Sequence, residues 1–461
     1  MTMTMTMTEV VSARAGPTDV RAALLHSSTR GSVRRALEAL LPPSAPLGPC
    51  RVRRVKFKPG RKLTVCYDVL TGGSRARVTP VTVTWLDPGA GPVALERARA
   101  SLAMEDEANR RGLVAPFSRL ATGVARLGMT VQIAPLDPSF PQLVRLTDPV
   151  YVARMLERSG GRWAVRTSAG PEITAVRYRP GQRHVLRYRS ACDERRLTVF
   201  PKLHRPGEPA RSYRTAFAVA DVLEVGGDGL TGARPAAHVT ADGVVLYPRV
   251  GGTPLSSLLR RNPRRGAEQV QRAGVVLRRL HDAPDDLANG LPEWDADAEI
   301  AATLRASEHF AHLLPRAATT VADVVGRAGE LLAHVPSESP VFGHGDYKAD
   351  HLYAGARGLT LIDFDSCRRA EPALDLGKFL ADLRWWFSLT GQPGLSDAQE
   401  RFLECYGPTP RPRLVRARVY EAIALVKMTA RRVPVNDANW VGRTATLIAR
   451  SDDLLRDLNR R

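Results

Sequence analysis

The sequence predicts an α+β fold in two lobes, a small antiparallel sheet followed by a larger helical lobe. Three observations point there. Residues 173–203 alternate apolar and basic side chains with period two, the mark of strands with one packed face. Residues 250–255, Val-Gly-Gly-Thr-Pro-Leu, break regular structure. Beyond them the apolar spacing becomes that of helices. Strand-rich and helix-rich segments in series pack as two lobes with a crevice between them.

The elements follow in order. A first strand covers 173–179, the turn is Pro180-Gly181-Gln182, and a second strand runs over 184–189. A third, 196–203, ends near Lys202, and residues 210–224 are helical in pattern. Gly243 to Pro248 is another short apolar strand, leading into the linker. Helices are expected over 266–281, 296–314 and 318–334, with three more beyond residue 396.

Four segments result: 1–30, 31–158, 159–250 and 251–461. The first opens on a polar Met-Thr repeat and is expected to be disordered or an upstream-start artefact. The second carries Val55-Lys-Phe-Lys-Pro-Gly60, which echoes Val176-Arg-Tyr-Arg-Pro-Gly181 at an offset of 121. Strand and helix patterns follow both hairpins. Residues 31–158 therefore read either as a degenerate copy of the small lobe or as an Arg-rich hairpin alike by composition. A copy would lack a lysine on its third strand and should not bind a second nucleotide.

Composition narrows the class. The net charge is +20, and it is uneven: +18 over residues 1–250 and +2 over 251–461. Basic chains often meet nucleic acid. Here no Arg run makes a recognition helix or a stacking platform, and aromatics are only 6%, so a solvated Arg-rich surface with some phosphate binding is the preferred reading. Five cysteines, at 50, 66, 192, 367 and 405, form no metal-ligand spacing. They read as reduced thiols of a cytosolic protein. No 18-residue apolar run suggests a membrane span.

The chemistry concentrates near the three-quarter point. The chain reads His344-Gly345-Asp346-Tyr347-Lys348-Ala349-Asp350-His351, then Ile362-Asp363-Phe364-Asp365. Two aspartates at a hairpin-length gap suit phosphoryl transfer from a nucleotide. One, Asp346, would accept the proton of the attacking hydroxyl; the other, Asp363 at the end of an apolar strand, would hold Mg²⁺ against the phosphates. Loop-capping or turn-forming aspartates are the structural alternative, and the pairing weighs against it.

With Asp363 following, the run resembles the catalytic and metal-binding loops of the protein kinase-like fold. Its variant is closest to the aminoglycoside phosphotransferase (choline kinase-like) family, whose loop reads His-Gly-Asp. Leu277-Arg-Arg-Leu-His281 and Glu371-Pro372-Ala-Leu-Asp375-Leu-Gly agree with that family, and Tyr247-Pro248 to Gly252 stands where its interlobe hinge belongs. The resemblance covers about residues 160–460.

What it implies is specific. ATP and Mg²⁺ are the expected cofactors. Lys202 would reach the α- and β-phosphates, and Lys348 the transferred phosphate. Only 7 of 67 basic residues are Lys, so composition alone does not account for lysines at these positions. Gly181 and Arg183 would form a glycine-poor phosphate loop, with Tyr247 at the nucleotide hinge. His351 replaces the usual Asn and is a softer donor than an amide oxygen; it is carried as a metal-shell candidate with Asp363 and Asp365. Asp375 is expected to anchor the loop. No helix-borne Glu obviously pairs with Lys202, since helix 210–224 offers only Asp221 and Glu224.

The expected function is ATP-dependent phosphoryl transfer to a hydroxyl of a small molecule. Residues 251–400 carry a net charge of −5, which mildly suits a cationic acceptor. The alternatives are a Ser/Thr kinase acting on peptides, supported by Lys348, and a pseudokinase serving as a binding module, supported by His351 and the sparse glycine loop.

Overall fold

The computed structural model describes residues 6–460 apart from 13–15, 17–18, 73–76, 88–90, 161–169, 193–194, 206–207 and 357, and for 91–99, 190–197 and 459 the backbone alone. Three helices come first: α1 (Met7–Val11), α2 (Asp19–Leu25) and α3 (Ser27–Glu38). Disorder was the expectation here. Instead Val10, Val11, Val20 and Leu24 are buried, so the apolar side of these short helices packs into the same core as the sheet that follows.

That sheet comprises β1 (Leu47–Lys58), β2 (Lys62–Thr71), β3 (Arg77–Leu86), β4 (Ala121–Val124) and β5 (Met129–Ile133), with α4 (Gly91–Arg110) between β3 and β4. Helix α5 (Pro149–Arg158) leads to a second set: β6 (Glu172–Arg179), β7 (Arg183–Cys192), β8 (Arg195–Leu203), α6 (Pro209–Glu224), β9 (Leu230–Gly232), β10 (Ala237–Val239) and β11 (Val244–Pro248). The two five-stranded sheets run β1-β2-β3-β5-β4 and β6-β7-β8-β11-β10. Their orders coincide strand for strand. In each, a helix follows the third strand, and both hairpin turns use a glycine with positive φ, 64° at Gly60 and 68° at Gly181. The hairpin echo in the sequence thus sits in two sheets of one topology.

The helical lobe contains β12 (Thr253–Pro254), α7 (Leu255–Arg261), α8 (Pro263–His281), α9 (Ala296–Ser307), α10 (Phe310–Leu313) and α11 (Pro315–His334). It continues with β13 (Val341–Gly343), β14 (Leu352–Gly355), β15 (Gly358–Leu361), β16 (Arg368–Ala370), α12 (Pro372–Thr390), α13 (Leu395–Tyr406), α14 (Arg411–Arg431) and α15 (Trp440–Asn459). The helix expected over 296–314 is interrupted after Ser307, where Phe310 and Leu313 turn fully into the core. The two long central helices, α12 and α14, pack on each other. Gly377 allows this, because a Cβ there would come within 2.5 Å of the Ala417 carbonyl. Among the described residues no helix is long and apolar enough to cross a membrane.

Candidate active site

The loop after β13 is set by one helix. Asp375 lies in the first turn of α12, and its carboxylate accepts the backbone N–H groups of His344 (2.6 Å) and Gly345 (2.9 Å). Asp382, seven residues on, accepts Ala349 N–H at 2.8 Å. Two helical turns place both on one face. The loop is therefore clamped at either end by buried carboxylates, and Asp375 is the anchor it was expected to be. Gly345 has a φ of 72°, and a Cβ there would run into the Ser366 carbonyl and the Arg368 guanidinium. Only glycine fits.

Asp346 projects between these clamps. Its carboxylate meets the ammonium of Lys348 and lies 3.7 Å from that of Lys378. Burial alone would push its pKa up, but Lys378, His351 and Lys348 together hold it well below the usual carboxylate range. It is ionised at any physiological pH and can accept a hydrogen bond from an incoming hydroxyl. Lys378 was missed in the sequence. It stands on the same face of α12 as Asp375, three residues on, and it is one of only seven lysines. Rarity, applied consistently, would have flagged it.

Asp363 follows β15 and takes the left-handed conformation, φ 73°, the one non-glycine residue to do so among those described. Such a backbone costs about 1–3 kcal/mol and needs support from its surroundings. Support is present. Its carboxylate accepts Lys202 Nζ (2.7 Å), the Arg183 guanidinium (2.8 Å) and His351 Nε2 (3.1 Å). Lys202 foremost, then His351 and Arg183, overcome the effect of burial and keep it far below its ordinary pKa.

Asp365 joins the cluster. It lies 2.7 Å from Lys202 Nζ, 2.9 Å from Arg183 and 2.9 Å from the Ser212 hydroxyl at the start of α6. Lys202 thus bridges two carboxylates, and their attraction lifts its pKa despite its burial. No Glu of α6 serves as its partner. Asp221 and Glu224, the residues considered, pair instead with Arg234 on the exposed side of α6.

The remaining expected residues fall nearby. Gly181 turns at the tip of the β6–β7 hairpin, its N–H bonded at 2.7 Å to Asp137, which also takes His184 Nε2 at 2.7 Å. Asp137 comes from the chain between β5 and α5, a contribution the sequence did not reveal. Tyr247 on β11 is half-buried, and burial pushes its phenol up to about 12. His351 turns Nε2 to Asp363 and Nδ1 to the Asp346 carbonyl at 3.1 Å. Asp363 and Asp365 supply the hard oxygen donors that Mg²⁺ prefers, so the donor set fits such an ion. The ring of His351 is engaged with the carboxylate that would hold it.

A cavity of about 1030 Å³ opens beside Asp346, Lys348 and Lys378. Its walls come from β1, β6 and the helical lobe. The net negative charge of residues 251–400 does not line it; thirteen Lys or Arg side chains do, against three Asp or Glu. The acidic balance of that segment therefore lends the expectation of a cationic acceptor no support here, because a segment's net charge averages over its outward surface.

The family model described as phosphotransferase enzyme family matches residues 176–415. Solved structures similar to this chain include a choline/ethanolamine kinase family protein from Mesorhizobium loti, with 17% identity, coverage of 66% of this chain and 94% of that one, and a TM-score of 0.45. A spectinomycin phosphotransferase in complex with ADP and spectinomycin has 13% identity, coverage of 63% and 93%, and a TM-score of 0.43. Choline kinase from Cryptosporidium parvum Iowa II has 9% identity, coverage of 68% and 97%, and a TM-score of 0.49. No curated protein sequence matches the chain. With Asp346, Asp363 and Lys202 gathered at one crevice and more than half its length matched, the chain belongs to the phosphotransferase enzyme family.

Proposed function

We propose that this protein is an ATP- and Mg²⁺-dependent kinase that transfers the γ-phosphoryl group to a hydroxyl of a small molecule. The observation that carries it is His351, which touches both halves of the site, with Nδ1 at the Asp346 backbone and Nε2 at the Asp363 carboxylate. The base and the metal-holding carboxylate are thereby held in one rigid unit, as in-line transfer needs.

Each residue then has a task. Asp346 orients the acceptor hydroxyl and takes its proton as the new bond to phosphorus forms. Asp363 and Asp365 would hold Mg²⁺, which when bound neutralises phosphate charge. Lys202 and Arg183, now paired with those carboxylates, are placed to exchange them for phosphate oxygens. Gly181 and Arg183 cover the phosphates from the hairpin, and Tyr247 borders the nucleotide where β11 runs into the interlobe linker. Lys348 contacts the transferred group. His351 orients Asp363 and does not ligate the metal.

Transfer from γ-labelled ATP to pooled sugars, sugar phosphates, aminoglycosides and peptides tests this reading. Label in a small-molecule fraction supports it. Label confined to peptides would favour the Ser/Thr kinase alternative, and none in any pool, with no melting shift on Mg·ATP, would remove both.

A further inference from the structure

The cavity beside Asp346 has an unusual wall. Lys202, Asp363 and Asp365 do not line it; it opens on Asp346, Lys348 and Lys378 and reaches the metal-holding carboxylates only through Arg183, which meets both. Its volume of about 1030 Å³ suits a small molecule. The strand β1 contributes Arg54, Lys56 and Lys58, which share one face because successive side chains alternate while Val55 and Phe57 enter the core. From β6 come Arg177 and Arg179, and from the end of α14 comes Arg431. The two hairpins are tied together by the Arg53 guanidinium, which donates to the Tyr178 carbonyl at 2.7 Å.

Five of the other seven cations around the cavity meet an acid, among them Arg432, 3.6 Å from Asp382. Lys348 and Lys378 face Asp346, Arg183 faces Asp363, and Lys427 faces Glu299. No Asp or Glu among the described residues pairs with Arg54, Lys56, Lys58, Arg177, Arg179 or Arg431. Lys56 shows the consequence: burial, then Lys58 and Arg54, push its ammonium down to about 8. Like charges gathered on a concave wall in excess of counter-charge raise the local concentration of anions, and a bound anion offsets the repulsion.

We propose that the phosphate acceptor is a small anionic hydroxyl compound, carrying a phosphate or carboxylate group that is held by Arg54, Lys56 and Lys58 of the first sheet together with Arg177. The proposal rests on the kinase reading of the same site. It also gives residues 31–158 a role: the first sheet recognises the acceptor and binds no nucleotide of its own. The anionic group anchors one end of the molecule while its hydroxyl reaches Asp346, where the O–H proton passes to the carboxylate and the oxygen bonds to the γ-phosphorus as the bond to ADP breaks.

The test uses the full chain and two readouts. The first is the melting shift on glucose 6-phosphate, gluconate, glucose and glucosamine, for the native chain and for Arg54→Gln/Lys56→Gln/Lys58→Gln. The acids should shift the native protein and the neutral and cationic sugars should not. In the variant, apparent affinity for the acids should fall at least about tenfold. The charge-keeping variant Lys56→Arg/Lys58→Arg should bind them, which separates lost charge from lost folding. Equal affinity for the acids in the native and glutamine-substituted chains, or no shift by either acid, would overturn the proposal. The second readout is the shift on Mg·ATP. If Mg·ATP shifts the native protein and the acids do not, the anionic acceptor is wrong and the kinase reading stands. If the acids bind through β1 and Mg·ATP has no effect, the kinase reading fails and takes the acceptor role with it, while the anion site on β1 stands.

Discussion

The imidazole of His351 lies 3.1 Å from Asp363, Nε2 to Oδ2. It occupies the loop position at which an Asn was expected, yet its nitrogen points to a carboxylate. We read the ring as holding the carboxylate in place rather than as a ligand of the metal.

His351→Asn should therefore leave the metal preference almost unchanged. The ratio of Mg²⁺- to Mn²⁺-supported turnover in the variant should stay within about threefold of the native ratio, because no ligand has been exchanged. A shift of more than about tenfold toward Mg²⁺ would mean that the imidazole is a ligand after all.

Asp375→Asn addresses the loop clamp. The amide keeps one accepting oxygen and puts an NH₂ against a backbone N–H, so one of the two bonds at His344 and Gly345 is lost. The cost in stability should be about 1–3 kcal/mol, the range for a buried donor left unsatisfied. Denaturant unfolding measures it. A variant as stable as the native chain would show that the loop is held elsewhere.

Asp137→Ala probes the link from the first domain to the hairpin tip. With the 2.7 Å bond to the Gly181 N–H gone, the turn loosens and KM for ATP should rise about tenfold, while kcat changes far less. An unchanged KM would exclude the Gly181 turn from nucleotide binding.

Lys378 predicts a pH dependence. Burial pushes it down to about 8 from 10.5, with Asp346 and Asp382 opposing. Between those values the unfolded chain keeps a proton that the folded chain has released, so stability rises with pH across this window. Below about pH 8 the ammonium is charged in both states and its burial is unfavourable. Lys378→Gln should lose that rise, which amounts to a few kcal/mol. Parallel stability curves for the two chains from pH 8 to 10.5 would contradict it.

The legible part of the site was what lies within short stretches. Asp346 and Asp363 stand 17 residues apart in recognisable loops, and the third strand of the small sheet carries Lys202, which the fold brings to Asp363 and Asp365. Other parts depend on distant segments meeting. Asp137 is 44 residues from the turn it holds, and nothing local marks it. Lys56 and Lys58 were visible as a hairpin echo, but their role depends on β1 facing the helical lobe. The acidic balance of 251–400 says little about the cavity, because Asp282, Asp295 and similar residues lie outside it. The N-terminal segment misled: its polar opening concealed the valines at 10, 11 and 20 that pack beneath the first sheet.

The most direct measurement is label transfer by Asp346→Asn from γ-labelled ATP to the acceptor found for the native chain, with Mg·ATP affinity measured alongside. The amide keeps the shape and loses the charge that orients and accepts the proton. Turnover should fall by about 10² to 10⁴, while Mg·ATP binds within a few-fold of its native affinity. Transfer that continues at the native rate would contradict the assignment of Asp346 as the base, and with it the central claim.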